Sequence, residues 1–217
     1  MTPLNFTLAL LLILGIAILI SLPVFIKGLT RRGTGIVYES NFFIQRLPQI
    51  MAIFNIGILV IAFWQYNQLI IFPVPIAYLL SLHMLLQPDS ANLISIIGLV
   101  ILIHGLIFMI GGWYSLGNNF STDSEILPDH KISQKGLLGI VMHPVYSGII
   151  QSLIGAALIA LSPISLVICL YPGAYLWLRR AKYEENLLTK EFGDEYLAYA
   201  KSLNWHRLIP KYGRKSL

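Results

Sequence analysis

The chain has 217 residues, of which 56% are hydrophobic and only 12% charged, about half the charged share of an ordinary soluble domain. Residues 1–26 and 144–178 hold no Asp, Glu, Lys or Arg, and residues 47–112 hold only Asp89. Uncharged apolar stretches of this length exclude a water-soluble globule, and their lack of alternation argues against a β-barrel. The net charge of +5 reads as membrane topology and contact with anionic lipid rather than as a nucleic-acid signature. The lone Cys169 permits no disulfide framework.

The first apolar run, Leu4 to Ile26, has no cation before it and is longer than a signal-peptide core of about 7–15 residues. Lys27, Arg31, Arg32 and Arg46 follow it. It reads as a retained anchor with its N-terminus on the non-cytoplasmic side. The second run extends from Leu47 to about Trp64. Leu69 to Leu86 is nearly long enough to span but contains Pro73, Pro75 and His83. Leu93 to Ile110 is a clear span. Pro144 to Leu178 is interrupted at Ser162-Pro163, and since proline favours a helix start, a hairpin of two short spans is expected, 144–161 and 163–180.

The positive-inside rule settles the count. If 69–86 does not cross, five spans place 27–46, 114–143 and 179–217 on one side, with four, two and nine of the fifteen Lys and Arg residues. Six spans would divide the same cations four against eleven. The expected fold is therefore all-α, a polytopic membrane bundle of about five transmembrane helices with a C-terminal helical hairpin and an amphipathic cytoplasmic tail helix. Residues 67–90 become an outer-side excursion or re-entrant piece covered by protein. In the tail, Tyr183, Leu187, Leu188, Phe192, Tyr196 and Tyr199 recur at helical spacing, Gly193-Asp194 breaks the helix with Asp194 as a cap, and Arg207, Lys211, Arg214 and Lys215 suit an anionic membrane surface.

Polar residues gather in two of the cation-bearing segments. The first holds Ser115 to Ser121, Asp129-His130-Lys131 and Met142 to Tyr146. The second begins at Arg179 and holds Glu184 and Glu185. Residue 144 enters the membrane where residue 180 leaves it, so His143 and Tyr146 should lie near Glu184 and Glu185. Each has a plainer reading: His143 as a helix cap, Tyr146 as an interfacial aromatic, the glutamates as solvated first-turn residues. Other signals are weak. Gly33-Thr34-Gly35 follows no strand and gives no nucleotide site. His83 and His104 have no carboxylate or cysteine at metal spacing. The small residues of the spans, Gly98, Gly105, Gly112, Gly148 and Gly155 among them, read as close helix packing.

At these residues the chain resembles the isoprenylcysteine carboxyl methyltransferases, particularly small prokaryotic members, and more loosely the phospholipid N-methyltransferases. The resemblance rests on Leu116-Gly117-Asn118-Asn119-Phe120-Ser121, Asp129-His130-Lys131-Ile132, Gly136, His143-Pro144-Val145-Tyr146, Glu184-Glu185-Asn186-Leu187-Leu188, Phe192-Gly193-Asp194-Glu195-Tyr196, Tyr199 and Leu208-Ile209-Pro210. It departs from the family pattern at Met142, where the family has Arg, and at Leu138, where it has Tyr. It implies one membrane domain over 1–217, with N-terminal transmembrane helices in 1–111 and a methyltransferase-like region in 112–210. The implied cofactor is S-adenosylmethionine, lined by His130, Ile132, Gly136, His143, Pro144, Tyr146, Glu184 and Glu185. The implied partners are a lipophilic or lipidated acceptor entering from the bilayer and membrane lipids, with neither metal nor nucleic acid. No residue is singled out as catalytic. The alternatives are a non-catalytic lipid- or partner-binding protein on the same scaffold, with Met142 in its favour, a phospholipid N-methyltransferase, and a membrane reductase, since some sterol reductases resemble this C-terminal region.

Overall fold

The computed structural model describes residues 3–38, 41–67, 69–70, 72–204 and 206–209. In chain order the helices are α1 (Pro3–Thr30), α2 (Phe42–Gln45), α3 (Leu47–Tyr66), α4 (Val74–Leu80), α5 (Pro88–Leu116), α6 (Pro144–Ile159), α7 (Pro163–Ile168), α8 (Ala174–Phe192) and α9 (Asp194–Ser202). Two short strands, β1 (Val37–Tyr38) and β2 (Glu125–Ile126), pair antiparallel. Most of α1, α3 and α5 are long and apolar enough to cross a bilayer, and the protein is an integral membrane helical bundle.

The expected hairpin is present. Proline opens both arms, at Pro144 and Pro163, where its missing N–H costs nothing. Ser162 caps the second arm by accepting from the Ser165 amide. That arm runs from α7 through one π turn, Cys169–Gly173, into α8. α4 has seven residues, about 10 Å of helix, and does not cross. Its segment covers the far end of the hairpin instead: Ser81 Oγ donates to Ala160 O at 2.7 Å and the Leu82 amide to Leu161 O at 2.9 Å.

α5 and α6 form the densest contact because glycines let their backbones meet. A Cβ on Gly148 would lie 2.2 Å from the Met109 amide nitrogen, and one on Gly155 would lie 2.4 Å from that of Leu102. α3 joins the hairpin through a buried polar pair, Asn55 and Ser165, in which Ser165 Oγ donates to Asn55 Oδ1 at 2.6 Å.

All three cation-bearing segments meet at one end of the bundle. Lys27 Nζ donates to Asn118 Oδ1 at 2.7 Å. Arg46 grips the Asp123 carboxylate at 2.6 and 3.0 Å. The tail docks there too, the Met142 and His143 amides donating to His206 O and Arg207 O at 2.9 and 3.0 Å. The amphipathic tail thus lies on its own protein, with Tyr196, Tyr199 and Leu203 buried around Met142. Asp194 is not a cap. Gly193, at φ +51°, occupies that position, and Asp194 is the first residue of α9. Lys211, Arg214, Lys215 and Pro210 lie outside the described residues.

Candidate functional site

His143 precedes Pro144 at φ −125° and ψ 70°, and its side chain makes no cap bond. The ring turns across to α8 instead. Its Nδ1 lies 3.4 Å from Glu184 Oε2 and its Nε2 lies 3.3 Å from Glu185 Oε1. One turn along α6, Tyr146 donates its hydroxyl to Glu184 Oε1. Arg180, one turn before Glu184 on α8, donates to Tyr146 Oη at 2.9 Å, to Gln45 O at 2.9 Å and to Thr122 O at 2.8 Å. Ser124 Oγ completes the setting of Glu184 at 2.7 Å.

These contacts remove the plainer readings. Tyr146 is buried rather than in an aromatic belt, and Glu185 is 5% exposed in the fourth turn of α8, not solvated in its first. Burial pulls the His143 pKa down, but hydrogen bonds and charge from Glu184 and Glu185 outweigh it and leave it raised. Burial pushes Glu184 up, and His143, Arg180 and Ser124 overcome it, holding that carboxyl at about 2. Glu185 is lowered against its own burial by His143 and Arg207. Both carboxylates are therefore held ionised.

The expected site residues separate into two groups. His130, Ile132, His143, Pro144, Tyr146 and Glu184 line a single cavity of about 1150 Å³. His130 Nδ1 is buried without a hydrogen-bond partner among the described residues, and burial lowers its pKa despite the opposing charge of Glu184. Gly136 and Glu185 do not line the cavity. Gly136 opens a 3₁₀ turn at φ +57°, where a Cβ would stand 2.5 Å from Ser115 Oγ. Glu185 sits behind His143 and is held by Arg207 Nε at 2.7 and 3.0 Å.

Sequence reasoning missed the opposite wall. The loop 121–126 is locked from the first cation-bearing segment: Gly33 and Gly35 amides donate to Glu125 at 3.0 and 2.8 Å, and Gln45 exchanges two hydrogen bonds with the Ser124 backbone. The glycine pair that gives no nucleotide site is a receptor for one carboxylate. The only hint was the presence of Asp123 and Glu125 in a loop with few other charges. Arg207 had been grouped with a lipid-facing cluster; its guanidinium belongs to the site.

Residues 96–190 match the isoprenylcysteine carboxyl methyltransferase family. This segment, 95 of the 217 residues, is what the chain has in common with that family. It is 30% identical over 110 residues to protein-S-isoprenylcysteine O-methyltransferase B of Arabidopsis thaliana, a match covering 50% of this chain and 56% of that protein. It is 28% identical over 112 residues to protein-S-isoprenylcysteine O-methyltransferase of Saccharomyces cerevisiae, covering 51% and 47%. It is 28% identical over 113 residues to a probable protein-S-isoprenylcysteine O-methyltransferase of Oryza sativa subsp. indica, covering 51% and 59%. The chain thus spans about half the length of the curated relatives it matches. The matched segment contains most of α5, the loop, α6 and both glutamates, whereas Arg32, Gln45, Arg46 and Arg207 lie outside it.

Proposed function

We propose that the protein is a membrane methyltransferase with S-adenosylmethionine as donor and a lipophilic acceptor, of the kind that the names of its relatives describe. The cation-bearing end of the bundle is then cytoplasmic and the N-terminus non-cytoplasmic. Residues 112–210 supply most of the donor site within one membrane domain, 1–217.

The observation that carries this reading is the continuity of the cavity. One limb ends on His130, His143 and Glu184, and the other is apolar and runs between α1 and α3. Single ligand pockets measure about 300–1,000 Å³, so this volume has room for a polar donor and a lipid together.

The residues fit such a donor. Glu184 is ionised and 23% exposed, with a carboxylate edge able to accept ribose hydroxyls or pair with an ammonium. His130 lines the same cavity, and its Nδ1 is buried without a partner of its own among the described residues, so the ring suits a hydrogen bond to the donor's carboxylate. Tyr146, Arg180 and Ser124 fix Glu184 before any ligand arrives, so little ordering remains to be done on binding. Ile132, Leu188 and the tyrosines of α9 shield this limb from water. Bound S-adenosylmethionine supplies an electrophilic methyl on sulfur. The protein's task is then to hold an acceptor oxygen about 3–3.5 Å from that carbon and in line with the bond that breaks. An acceptor carboxylate arrives ionised, so no side chain need remove a proton.

Calorimetric titration of the purified protein with S-adenosylmethionine, in detergent and in nanodiscs, tests the reading. Saturable binding that Glu184→Ala weakens at least tenfold is expected, with radiolabelled methyl entering a lipid extract. Absence of binding in both settings, beside an active family member as control, would overturn it.

A further inference from the structure

The donor candidates occupy only the α6 and α8 side of the cavity. The opposite limb is a slot between faces of α1 and α3, lined also by Leu102, Leu106 and Met109 of α5 and Leu153 of α6. α1 presents Leu14, Ile18, Phe25 and Leu29 to it, followed by Arg32 just past the helix end. Steps of three, four and seven residues keep these on one face. α3 answers with Ile53, Ile56, Val60 and Trp64, headed by Gln49. α1 packs chiefly on α5 rather than on α3, which leaves Ile18 and Ile53 more than half exposed along the slot. From Ile53 to Trp64 the slot is about 17 Å long at the rise of an α-helix. Its lining is mostly apolar and ends at Arg32, beside Asp123 and Glu125.

Arg32 is the loosely held cation of the site. Asp123 already receives both terminal nitrogens of Arg46, at 2.6 and 3.0 Å, which completes a two-pronged pair. Arg32 approaches the same carboxylate with Nε at 3.4 Å, and its side chain is 45% exposed. Its two terminal amino groups make no hydrogen bond among the described residues. The other cations are otherwise placed. Arg180 spends its three nitrogens on Tyr146, Gln45 and Thr122. Arg207 lies on Glu185, and Lys131 adjoins the donor candidates His130 and Ile132.

We propose that Arg32 recognises the acceptor, its free amino groups holding the carboxylate head of a single-tailed lipid whose tail lies in the slot between α1 and α3. The word acceptor rests on the methyltransferase reading; the binding of such a lipid does not. A planar guanidinium with two free donors matches a carboxylate better than it matches an amine head, which it would repel. In the reaction one carboxylate oxygen forms the new O–CH₃ bond while the S–CH₃ bond breaks and its electron pair stays on sulfur, with no proton transferred. The ester so formed is neutral, so Arg32 loses its counter-charge and the product is released more readily than the substrate.

Binding of N-acetyl-S-farnesylcysteine and of its methyl ester to the full chain in nanodiscs, followed by calorimetry, tests the proposal directly. The wild type should bind the acid at least tenfold more tightly than the ester. Arg32→Gln should equalise the two, and Arg32→Lys should keep part of the preference. Equal affinities in the wild type, or an undiminished preference in Arg32→Gln, would overturn it. So would displacement of the acid by an equimolar diacyl phosphatidylglycerol, which would mark the slot as a site for bilayer lipid. S-adenosylmethionine titrated into the same samples reports separately. A protein that ignores this donor yet distinguishes acid from ester loses the methyltransferase reading and keeps the Arg32 site. One that binds the donor without that distinction does the reverse.

Discussion

The ring of His143 stacks on that of Tyr146, with centroids 5.5 Å apart and planes within 8° of parallel. The two side chains leave α6 one turn apart, and both reach Glu184. Stacking fixes the imidazole edge-on between two carboxylates, and the phenol fixes one of those carboxylates in turn. The site is an ordered array of alternating donors and acceptors across two helices that are distant in sequence.

A charged imidazole between two ionised carboxylates makes stability depend on pH from both sides. The His143 pKa is raised, so its contribution is complete below the ordinary imidazole range and is lost as pH climbs through the raised value. The glutamates are lowered, so theirs is complete above the ordinary carboxylate range and fades as pH falls towards about 2 for Glu184. Melting of the detergent-solubilised protein should therefore show a plateau between these limits. His143→Gln should flatten the alkaline limb and Glu184→Gln should shrink the acid one.

Arg180 is buried and bridges α8, α2 and the 121–126 loop. Arg180→Met strips two carbonyls and a phenol of their donor and leaves Glu184 without that positive charge. Removing one partner of a buried ionic network costs about 3–5 kcal/mol. Loss of most folded material on size exclusion, or a steep drop in melting temperature, is expected. Arg180→Lys should recover only part, because one ammonium cannot span the three acceptors.

The α5–α6 seam should discriminate sharply between glycines. Gly148→Ala forces a Cβ into the Met109 backbone, and overpacking of this kind costs about 1–3 kcal/mol. Gly57→Ala in α3 meets nothing within 4 Å and should be neutral or stabilising by up to about 1 kcal/mol through helix propensity. Comparative thermal melts of the two variants check this.

On the proposed reading Arg207 positions the donor limb, acting through Glu185 and so through His143. Arg207→Met should weaken S-adenosylmethionine binding several-fold and shift its pH dependence, while Arg207→Lys restores part of the affinity. A fall in thermal stability with unaltered affinity and pH profile would reduce Arg207 to a tail fastening.

What the sequence made legible was whatever left a local mark or followed from topology. Ser162-Pro163 announced the hairpin, the positions of the cations announced one common end, and the hairpin alone required His143 and Tyr146 to meet Glu184 and Glu185. What stayed hidden depends on contacts between segments about ninety residues apart. Backbone amides of Gly33 and Gly35 solvate Glu125 without any periodicity to betray it. Arg207 looks like a lipid-facing cation because composition cannot tell a charge facing phosphate from one facing a carboxylate. Gly136 entered through resemblance, and its place under Ser115 is a matter of turn geometry rather than of the cavity.

The π turn at Cys169–Gly173 has a further bearing on α8. Arg180 aside, the buried positions along this arm, Ser165, Cys169, Trp177, Ala181 and Glu185, fall at multiples of four residues. A regular helix advances about 100° per residue, so each step of four drifts round by about 40°, and over this length the last of them would face outward. The wider turn winds the helix back. It works as a phase adjuster: the half that satisfies the bilayer and the half that presents carboxylates can each keep its own inward face. Deleting one residue within the turn would leave both halves helical and apolar in the right places, yet point Glu184 and Glu185 away from His143.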